Sequence, residues 1–320
     1  MANLKMKFGF DTDNLVAYVD QTNLDLQTKA VFSGATAAYL SPQVQSGIKY
    51  KEQINYMDVD VTLRAQSGCG MTSSGEVIFD KKEIEVKSFY DQKTFCPKDL
   101  ETFYTQQFLP AGSIYENMPI EAAFAEYYAS KVSAAVEVLL WQGVTGGASG
   151  VIGFNQIIDA DSDVINGNPT GITASTGITT GNILGIFDGM VDLIPSALAG
   201  QTDLEFVCGW DTFRKLLQAY FTLNNFHYGA TEEGAPYQTG TIIIPKFGLR
   251  VTALHGLTGT NRIHLTRKSN YVIGTDMANE YETLDVWYEK MENVIVARIA
   301  AKLGTQIKFG SEFVTFKLVP

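Results

Sequence analysis

The sequence predicts an α+β fold in which an extended N-terminal arm and a long β-hairpin precede one long helix and a mixed α/β region that ends in strands. Three observations predict it. Apolar and polar residues alternate on both sides of a turn-rich stretch at 67–75, an Ala-rich periodic run extends over 119–142, and short apolar runs follow among Gly, Ser and Asn. Alternation is typical of strands, and steps of three and four residues are typical of helices.

The composition is that of a chain that can bury a large core. Of its 320 residues, 45% are hydrophobic and 12% aromatic, which excludes disorder as its general state. The net charge of −11 argues against a nucleic-acid-binding surface. No run approaches the ~20 apolar residues that span a bilayer, and the first residues lack the apolar core of a secretory signal. We therefore expect no membrane partner and assembly in the cytosol.

The first 40 or so residues have no sustained periodicity. Short apolar runs alternate with Asp, Asn and Thr, and the stretches Ser33–Ala38 and Ser41-Pro42 have the composition of loops. A segment with so weak a pattern cannot fold alone. We expect an arm that packs on another surface.

Residues 55–63 and 77–86 alternate as strands do, and the residues between them are rich in turn formers. They predict a hairpin with about fifteen residues per arm, which at ~3.3 Å per residue extends roughly 50 Å. Because this exceeds what a compact core of this size covers, we expect the hairpin to rest on a neighbour. Lys81 and Lys82 lie in its second arm, either as docking contacts on that neighbour or as charges on an exposed strand edge.

The run from Pro119 to Gln142 predicts the longest helix. Proline in the first turn beside an acid is typical of a helix start, and glycines from Gly143 onward end it. Twenty-four residues make a rod of roughly 36 Å. The apolar or small positions that recur at steps of three and four are Ala123, Tyr127, Ala134, Val138 and Trp141.

The remaining chain predicts two helices and a series of strands. The helices cover 182–198, broken or ended near Pro195, and 211–223. The predicted strands cover 204–208, 241–244, 249–254, 262–266, 271–274, 284–289 and 313–316, with an apolar run over 294–303. No internal repeat is visible.

No constellation of catalytic residues emerges. The three histidines match no metal-binding or serine-hydrolase spacing, so structural roles are favoured for them. The glycine-rich stretch 146–150 follows a helix and lacks the lysine of a phosphate loop, which indicates a turn. Three cysteines are predicted to be free thiols, with a Cys69–Cys96 bond as the alternative. We predict no enzymatic activity and no cofactor.

Asp159, Asp161 and Asp163 alternate as the first ligands of a calcium loop do. The sixth loop position is Val164 where glycine is required, and the twelfth is Thr170 where glutamate is required. A solvated acidic loop is therefore favoured, and a metal site at these three residues stays the weaker candidate.

Several local phrases, together with the order of elements, resemble one family. The phrases are Cys69-Gly70, Gly75-Glu76-Val77, 96–101, Trp141-Gln142-Gly143, 250–257, 270–276 and 304–307. They are similar to the major capsid proteins of tailed bacteriophages, which share the fold first seen in phage Hong Kong 97. The resemblance covers nearly the whole chain and lies in order and phrasing, without a chemical signature.

The resemblance implies an N-terminal arm, a long hairpin called the E-loop, a peripheral (P) domain with a spine helix, and an axial (A) domain. The implied boundaries are 1–46 for the arm, 47–96 for the E-loop hairpin, 97–147 for the P-domain with the spine helix, 148–279 for the A-domain and 280–320 for the return to the P-domain sheet. It also implies hexamers and pentamers that form an icosahedral head around double-stranded DNA, without specific DNA binding.

The partners implied are other copies of the chain, a portal and decoration proteins. Some family members carry a cleaved N-terminal scaffolding segment, whereas the arm here begins within the first residues, so we expect scaffolding from a separate protein. The candidate inter-subunit contacts are Phe8, Phe10, Met71, Lys81 and Lys82. The expected location is the virion, with assembly in the bacterial cytoplasm.

Two alternatives remain open. An encapsulin-type nanocompartment uses the same fold to enclose a cargo enzyme, without portal or DNA. A surface binding module with a calcium-dependent site at Asp159, Asp161 and Asp163 belongs to a different class, and would be a monomer that responds to chelators.

Overall fold

The structure is a computed structural model that describes residues 35–40, 44–59, 77–96, 120–168, 171–196, 198–223, 236–276, 284–292 and 294–318. Within these ranges, no helix combines the length and the apolar character that crossing a membrane requires. The described residues form six α-helices: α1 (Ala35–Leu40), α2 (Ile120–Gln142), α3 (Phe154–Ala160), α4 (Ile183–Asp192), α5 (Trp210–Leu223) and α6 (Pro236–Thr239).

Thirteen strands are present in the described ranges. They are β1 (Val44–Gln45), β2 (Lys51–Val59), β3 (Val77–Glu85), β4 (Lys87–Phe95), β5 (Ile165–Asn166), β6 (Leu204–Gly209), β7 (Thr241–Ile244), β8 (Leu249–Leu254), β9 (Ile263–Arg267), β10 (Tyr271–Thr275), β11 (Leu284–Glu289), β12 (Val294–Ile307) and β13 (Val314–Phe316). Mixed helices and strands agree with the predicted α+β class. The strands predicted over 204–316 are present. Most of them begin and end within one residue of the predicted positions.

The first of two large cores lies between the long helix α2 and a five-stranded sheet. Its central strand β12 pairs antiparallel with β4, β10 and β11. Apolar side chains of α2, α3, β10 and β12 meet in this core, and β1 adds a short parallel edge beside β10. Because β12 is 14 residues long, it can pair with three strands: β10 and β11, which precede it closely in the sequence, and the distant β4.

The second core surrounds a six-stranded sheet in the order β5-β13-β9-β6-β8-β7. Helices α4 and α5 bury their apolar stripes against it. In α5 the buried positions include Phe213, Leu216 and Leu217, at the three- and four-residue spacing that one helix face requires. The last strand of the chain, β13, pairs with β9 and β5 in this sheet.

The hairpin strands β2 and β3 form a separate two-stranded sheet. Their antiparallel register extends from Lys51 opposite Glu85 to Val59 opposite Val77. Nine paired residues per strand, at ~3.3 Å each, extend about 30 Å. The predicted turn at 67–75 and the adjoining ends of the arms lie outside the described residues.

The predicted extent of the hairpin is wrong at residues 87–95. The sequence analysis placed them in the hairpin segment 47–96, but they form β4, which pairs along its whole length with β12. The segment is a strand, but its partner lies about 200 positions further along the chain. The hairpin therefore ends at Glu85, and β4 belongs to the sheet of the first core.

Two further expectations need correction. Residues 35–38, which were assigned to a loop, begin the short helix α1. Of the recurring positions in α2, Trp141 is buried, whereas Tyr127, Ala134 and Val138 are exposed. The buried face also carries Tyr128, Ala129, Val132, Val136 and Leu140. Alanine-rich helices carry apolar residues on more than one face, so spacing alone did not select the buried one.

Candidate assembly surfaces

The N-terminal helix α1 is fixed to the long helix by a buried carboxylate. Glu137 is 3% exposed and accepts hydrogen bonds from the backbone N–H of Thr36 (2.8 Å) and from the Thr36 hydroxyl. The indole Nε1 of Trp141 donates to the same hydroxyl at 2.7 Å. A buried charge is tolerated only where hydrogen bonds replace water, so α1 and Glu137 require each other.

Gly256 completes the surroundings of Glu137. Its backbone N–H lies 3.4 Å from Glu137 Oε1, and a Cβ at this position would lie 2.3 Å from the Glu137 carbonyl oxygen and from Trp141 Cδ1. Only a residue without a side chain permits this approach. The chain segment 255–257 therefore lies directly against the long helix.

Tyr39 extends the anchorage of α1 toward the second core. Its hydroxyl donates to Glu205 Oε2 at 2.9 Å, and Lys268 Nζ lies 4.6 Å from its ring centroid. Burial, and then the negative charge of Glu205, hold the pKa of Tyr39 well above its ordinary value. The phenol therefore stays neutral, and it acts as a donor that ties the arm to β6.

The centre of the first core is a cluster of aromatic rings around Trp141. Its ring centroid lies 5.1 Å from that of Phe154, 5.5 Å from Tyr271 and 5.7 Å from His264. His264 is fully buried, and its ring nitrogens lie 2.9 Å from Thr315 Oγ1 and 3.1 Å from Asn155 Oδ1. Burial lowers the pKa of His264 to about 3, so the ring is neutral and structural at ordinary pH.

The base of the hairpin rests on the body through one face of β3. Ile84 and Val86 are buried there with Ile48 and Val272, and Lys82 on the same face is half-buried. Gln306 Nε2 donates to the carbonyl of Glu83 at 2.7 Å. The backbone of β12 approaches closely because residue 304 is glycine: a Cβ there would lie 2.3 Å from the Glu85 carbonyl oxygen.

The prediction of a solvated acidic loop needs correction, because Asp159 lies in the last turn of α3 and two of the three carboxylates pair with cations of the chain itself. Arg262 donates to both carboxylate oxygens of Asp159, and Lys317 Nζ lies 3.0 Å from Asp159 Oδ1. Burial alone would raise the pKa of Asp159, but the hydrogen bonds from these two cations outweigh it and hold that pKa below its usual value. Asp161 pairs with Lys82.

Asp159, Asp161 and Asp163 do not converge. The described residues contain no group of three or more His, Cys, Asp or Glu side chains placed to hold a metal ion. Asp163 offers its backbone N–H to Asp161 Oδ1 at 3.0 Å, a local turn contact.

The structure describes two of the five predicted inter-subunit residues. Lys82, expected to contact a neighbour or to lie exposed, pairs with Asp161 of the same chain. Lys81 is exposed on the opposite face of β3. Phe8, Phe10 and Met71 lie outside the described residues, so their role stays a prediction.

Of the cysteines, Cys208 is fully buried, and burial raises the pKa of its thiol, which makes it unreactive. Cys96 forms no disulfide with another described residue, and because Cys69 lies outside the described residues, the Cys69–Cys96 bond stays a prediction. The stretch 146–150 forms turns, as predicted.

Exposed apolar side chains form further candidate contacts that the sequence did not single out. A groove of about 590 Å³ lies along the long helix and is lined by Ala35, Ser130, Ser133, Ala134, Glu137, Val138, His255 and Thr258. Tyr90 on β4 is 67% exposed, and Tyr127 on the helix is 64% exposed. In the sequence, the signal that could have indicated these contacts is the presence of apolar residues on two faces of one helix.

Comparison with known proteins gave no match to any protein-family model and no match to any curated protein. Solved structures do match. A chain of the satellite phage P4 procapsid that includes the size determination (Sid) protein aligns with a TM-score of 0.57 at 10% identity, covering 93% of this chain and 99% of that chain. The chain has the fold of phage capsid proteins.

Two further capsids support this assignment of the fold. The capsid of the native GTA particle aligns with a TM-score of 0.56 at 13% identity, over 89% of this chain and 91% of that chain. The cyanophage A-1(L) capsid aligns with a TM-score of 0.55 at 11% identity, over 88% and 91%. At such low identities the match concerns the capsid fold, and assembly has to be argued from the contacts of this chain.

Proposed function

We propose that this chain is the major capsid protein of a tailed bacteriophage and builds the icosahedral head that encloses double-stranded DNA. The observation that carries the proposal is the capsid-type fold, which extends over about nine-tenths of the chain in each comparison. A structural role depends on contact surfaces and needs no reactive groups. The buried neutral His264 and the aspartates paired with cations of the same chain are in keeping with it.

The extended elements support self-assembly. A closed shell of many copies needs contacts that each subunit offers to its neighbours. The hairpin strands pair with each other and leave the body, which supplies such an element. We propose that residues 47–85 form the E-loop and that the long helix is the spine of the P-domain. We assign 148–279, which supply every strand of the second sheet except β13, to the A-domain. Subunits would associate as hexamers and pentamers.

The charge supports a container for DNA. A chain with a net charge of −11 does not hold a polyanion by counterion release, so packed DNA would slide along the wall without adhering to it. We therefore propose enclosure without specific binding. The virion would be the final location, with assembly in the host cytoplasm.

We propose that assembly uses a separate scaffolding protein, a portal and, on the mature head, decoration proteins. One matched structure is a procapsid that includes a size determination protein, which supports the idea that auxiliary proteins act on this fold during assembly. The first 34 residues, with Phe8 and Phe10, and the hairpin turn with Met71 would supply contacts between subunits.

Electron microscopy of sedimented particles tests the proposal. The chain is expressed alone and with the neighbouring genes of its source, and the pellet is stained and examined. Closed shells tens of nanometres across, with a portal and DNA inside, are the expected result. Shells filled with a protein cargo and lacking a portal would favour a nanocompartment, and a monodisperse particle near 35 kDa in every condition would contradict a shell role.

A further inference from the structure

The direction of the hairpin has to be fixed at its base. In the described part of the chain, β2 and β3 pair with each other as a two-stranded sheet, separate from the sheets of the two cores. A two-stranded ribbon has little stability of its own and bends easily, so its direction depends on contacts with the body. The contacts of the β3 face that includes Val86 and Lys82 therefore decide where the hairpin points.

The apolar contacts lie next to the point where the hairpin joins the body. Ile84 and Val86 are 0% and 2% exposed, and Val86 N–H donates to the Tyr50 carbonyl at 2.8 Å. Apolar packing is not directional, and contacts this close to a hinge restrict the angle weakly. The hydrogen bond from Gln306 to the Glu83 carbonyl is directional, but it is exposed to water and lies one residue nearer the hinge than Lys82.

Lys82 lies four residues further out, about 13 Å along the strand from Val86. A contact at that distance acts on a longer lever, so a small change of angle breaks it. Lys82 Nζ lies 2.5 Å from Asp161 Oδ2, and the two side chains are 20% and 15% exposed. A partly buried, charge-assisted hydrogen bond is directional and is less screened by salt than a surface pair.

Asp161 is itself held in place. Its Oδ1 accepts the backbone N–H of Asp163, and the preceding Asp159 is clamped by Arg262 and Lys317. Asp161 thus offers a fixed carboxylate to the flexible side chain of Lys82. A fixed acceptor on the body and a donor on β3 can together hold the strand in one position.

We propose that the Lys82–Asp161 ion pair sets the angle at which the hairpin leaves the body, so that Asp161 is a positioning residue for assembly. The inference about the angle stands on the intrachain geometry, and its consequence for shells rests on the proposed function. The acidic loop thereby acquires a role as the docking point of the hairpin.

Distances between spin labels in the unassembled full-length chain test the angle directly. Labels attached to unnatural amino acids at Met57, which is exposed on β2 further from the hinge than Lys82, and at the exposed Ala135 on the long helix leave the native cysteines untouched. Asp161→Asn removes the charge and keeps an oxygen for the Asp163 N–H, and Lys82→Met keeps the aliphatic stem. In both variants the fraction of molecules outside the wild-type distance peak is expected to rise about fivefold.

Lys246→Met is the matched control, because it breaks an exposed ion pair with Asp188 away from the hairpin. This variant should keep the wild-type distance distribution. The exchanged variant that combines Lys82→Asp with Asp161→Lys should narrow the distribution again, because it restores the pair in reverse. An unchanged distribution in both Asp161→Asn and Lys82→Met would overturn the proposal.

Shell formation is the second readout. Asp161→Asn and Lys82→Met should melt as the wild type does and yield fewer or irregular shells, and the exchanged variant should recover them. Wild-type yields from both neutral variants would overturn the role of Asp161 in assembly. If the labels respond as expected while the wild type builds no shells, the angle lock stands and the proposed function fails.

Discussion

Around the long helix, side chains from distant parts of the chain meet in one buried cluster, whereas the described hairpin strands touch the body near their base. Hydrogen bonds join Thr36 to both Glu137 and Trp141, and aromatic rings pack around Trp141. The hairpin base has a few apolar contacts, a hydrogen bond from Gln306 and the ion pair of Lys82. Stability is therefore concentrated in the first region, and the second is free to serve contacts outside the subunit.

This difference separates two kinds of mutation. A change near Trp141 should lower the free energy of unfolding, and shells should be lost because the subunit is lost. A change in the hairpin should leave the melting curve in place and impair assembly alone. Each prediction below strengthens or breaks this division.

Trp141→Ala should have the largest effect. The indole is fully buried among three aromatic rings and donates a hydrogen bond, so its removal should lower the free energy of unfolding by about 3–5 kcal/mol. Chemical denaturation of the unassembled chain measures this. Val144→Ala, 55% exposed just past the helix, is the control and should change little. A wild-type unfolding curve for Trp141→Ala would show that the cluster does not hold the core.

Thr36→Val should lower the free energy of unfolding by about 3 kcal/mol. It keeps the shape of the side chain but removes the hydroxyl that donates to Glu137 and accepts from Trp141, which leaves a buried carboxylate and an indole N–H short of partners. Thr36→Ser keeps the hydroxyl and serves as the control. Equal stabilities of the two variants would mean that the arm helix is not anchored through this network.

Stability should also depend on pH through His264. An unfolded histidine titrates near pH 6.5, whereas burial lowers the folded pKa to about 3, so between these values the unfolded chain binds the extra proton. Its contribution is complete above about pH 6.5 and declines as the pH falls toward 3. Urea unfolding should show about 2 kcal/mol lost between pH 7 and pH 5 from this group. His264→Gln should reduce that loss and His255→Gln should not; identical slopes would contradict the assignment.

Calcium and chelators should have the smallest effect. Asp159 and Asp161 are already paired with Arg262, Lys317 and Lys82, so a divalent cation gains no group of free carboxylates. The melting temperature should shift by less than about 1 °C with millimolar calcium or with chelator. A larger, saturable rise would revive the calcium-binding module.

Local pattern predicted much of the fold. The long helix, the helix over 211–223 and the strands after residue 204 follow from periodicity and from their flanking glycines and prolines. The element order also led to the capsid fold that the structural comparisons share.

What pattern could not predict is which distant segments meet. The partner of β4 is β12, about 200 positions away, whereas the resemblance to capsid proteins had placed residues 87–95 in the hairpin segment. Thr36 and Glu137 are 101 positions apart, and Asp161 finds Lys82 across 79. Spacing reveals ligands on one loop or helix, whereas pairs formed by tertiary folding leave no local signal.

The deletion of residues 67–75 tests the central division most directly. These residues, a turn only by prediction, lie outside the described ranges, so their contribution is judged by two measurements on one preparation: the unfolding curve of the unassembled chain and the yield of shells in sedimented material. We predict an unfolding curve like that of the wild type together with few or no closed shells. Normal shells from the deletion variant would contradict the account of the hairpin as an assembly element.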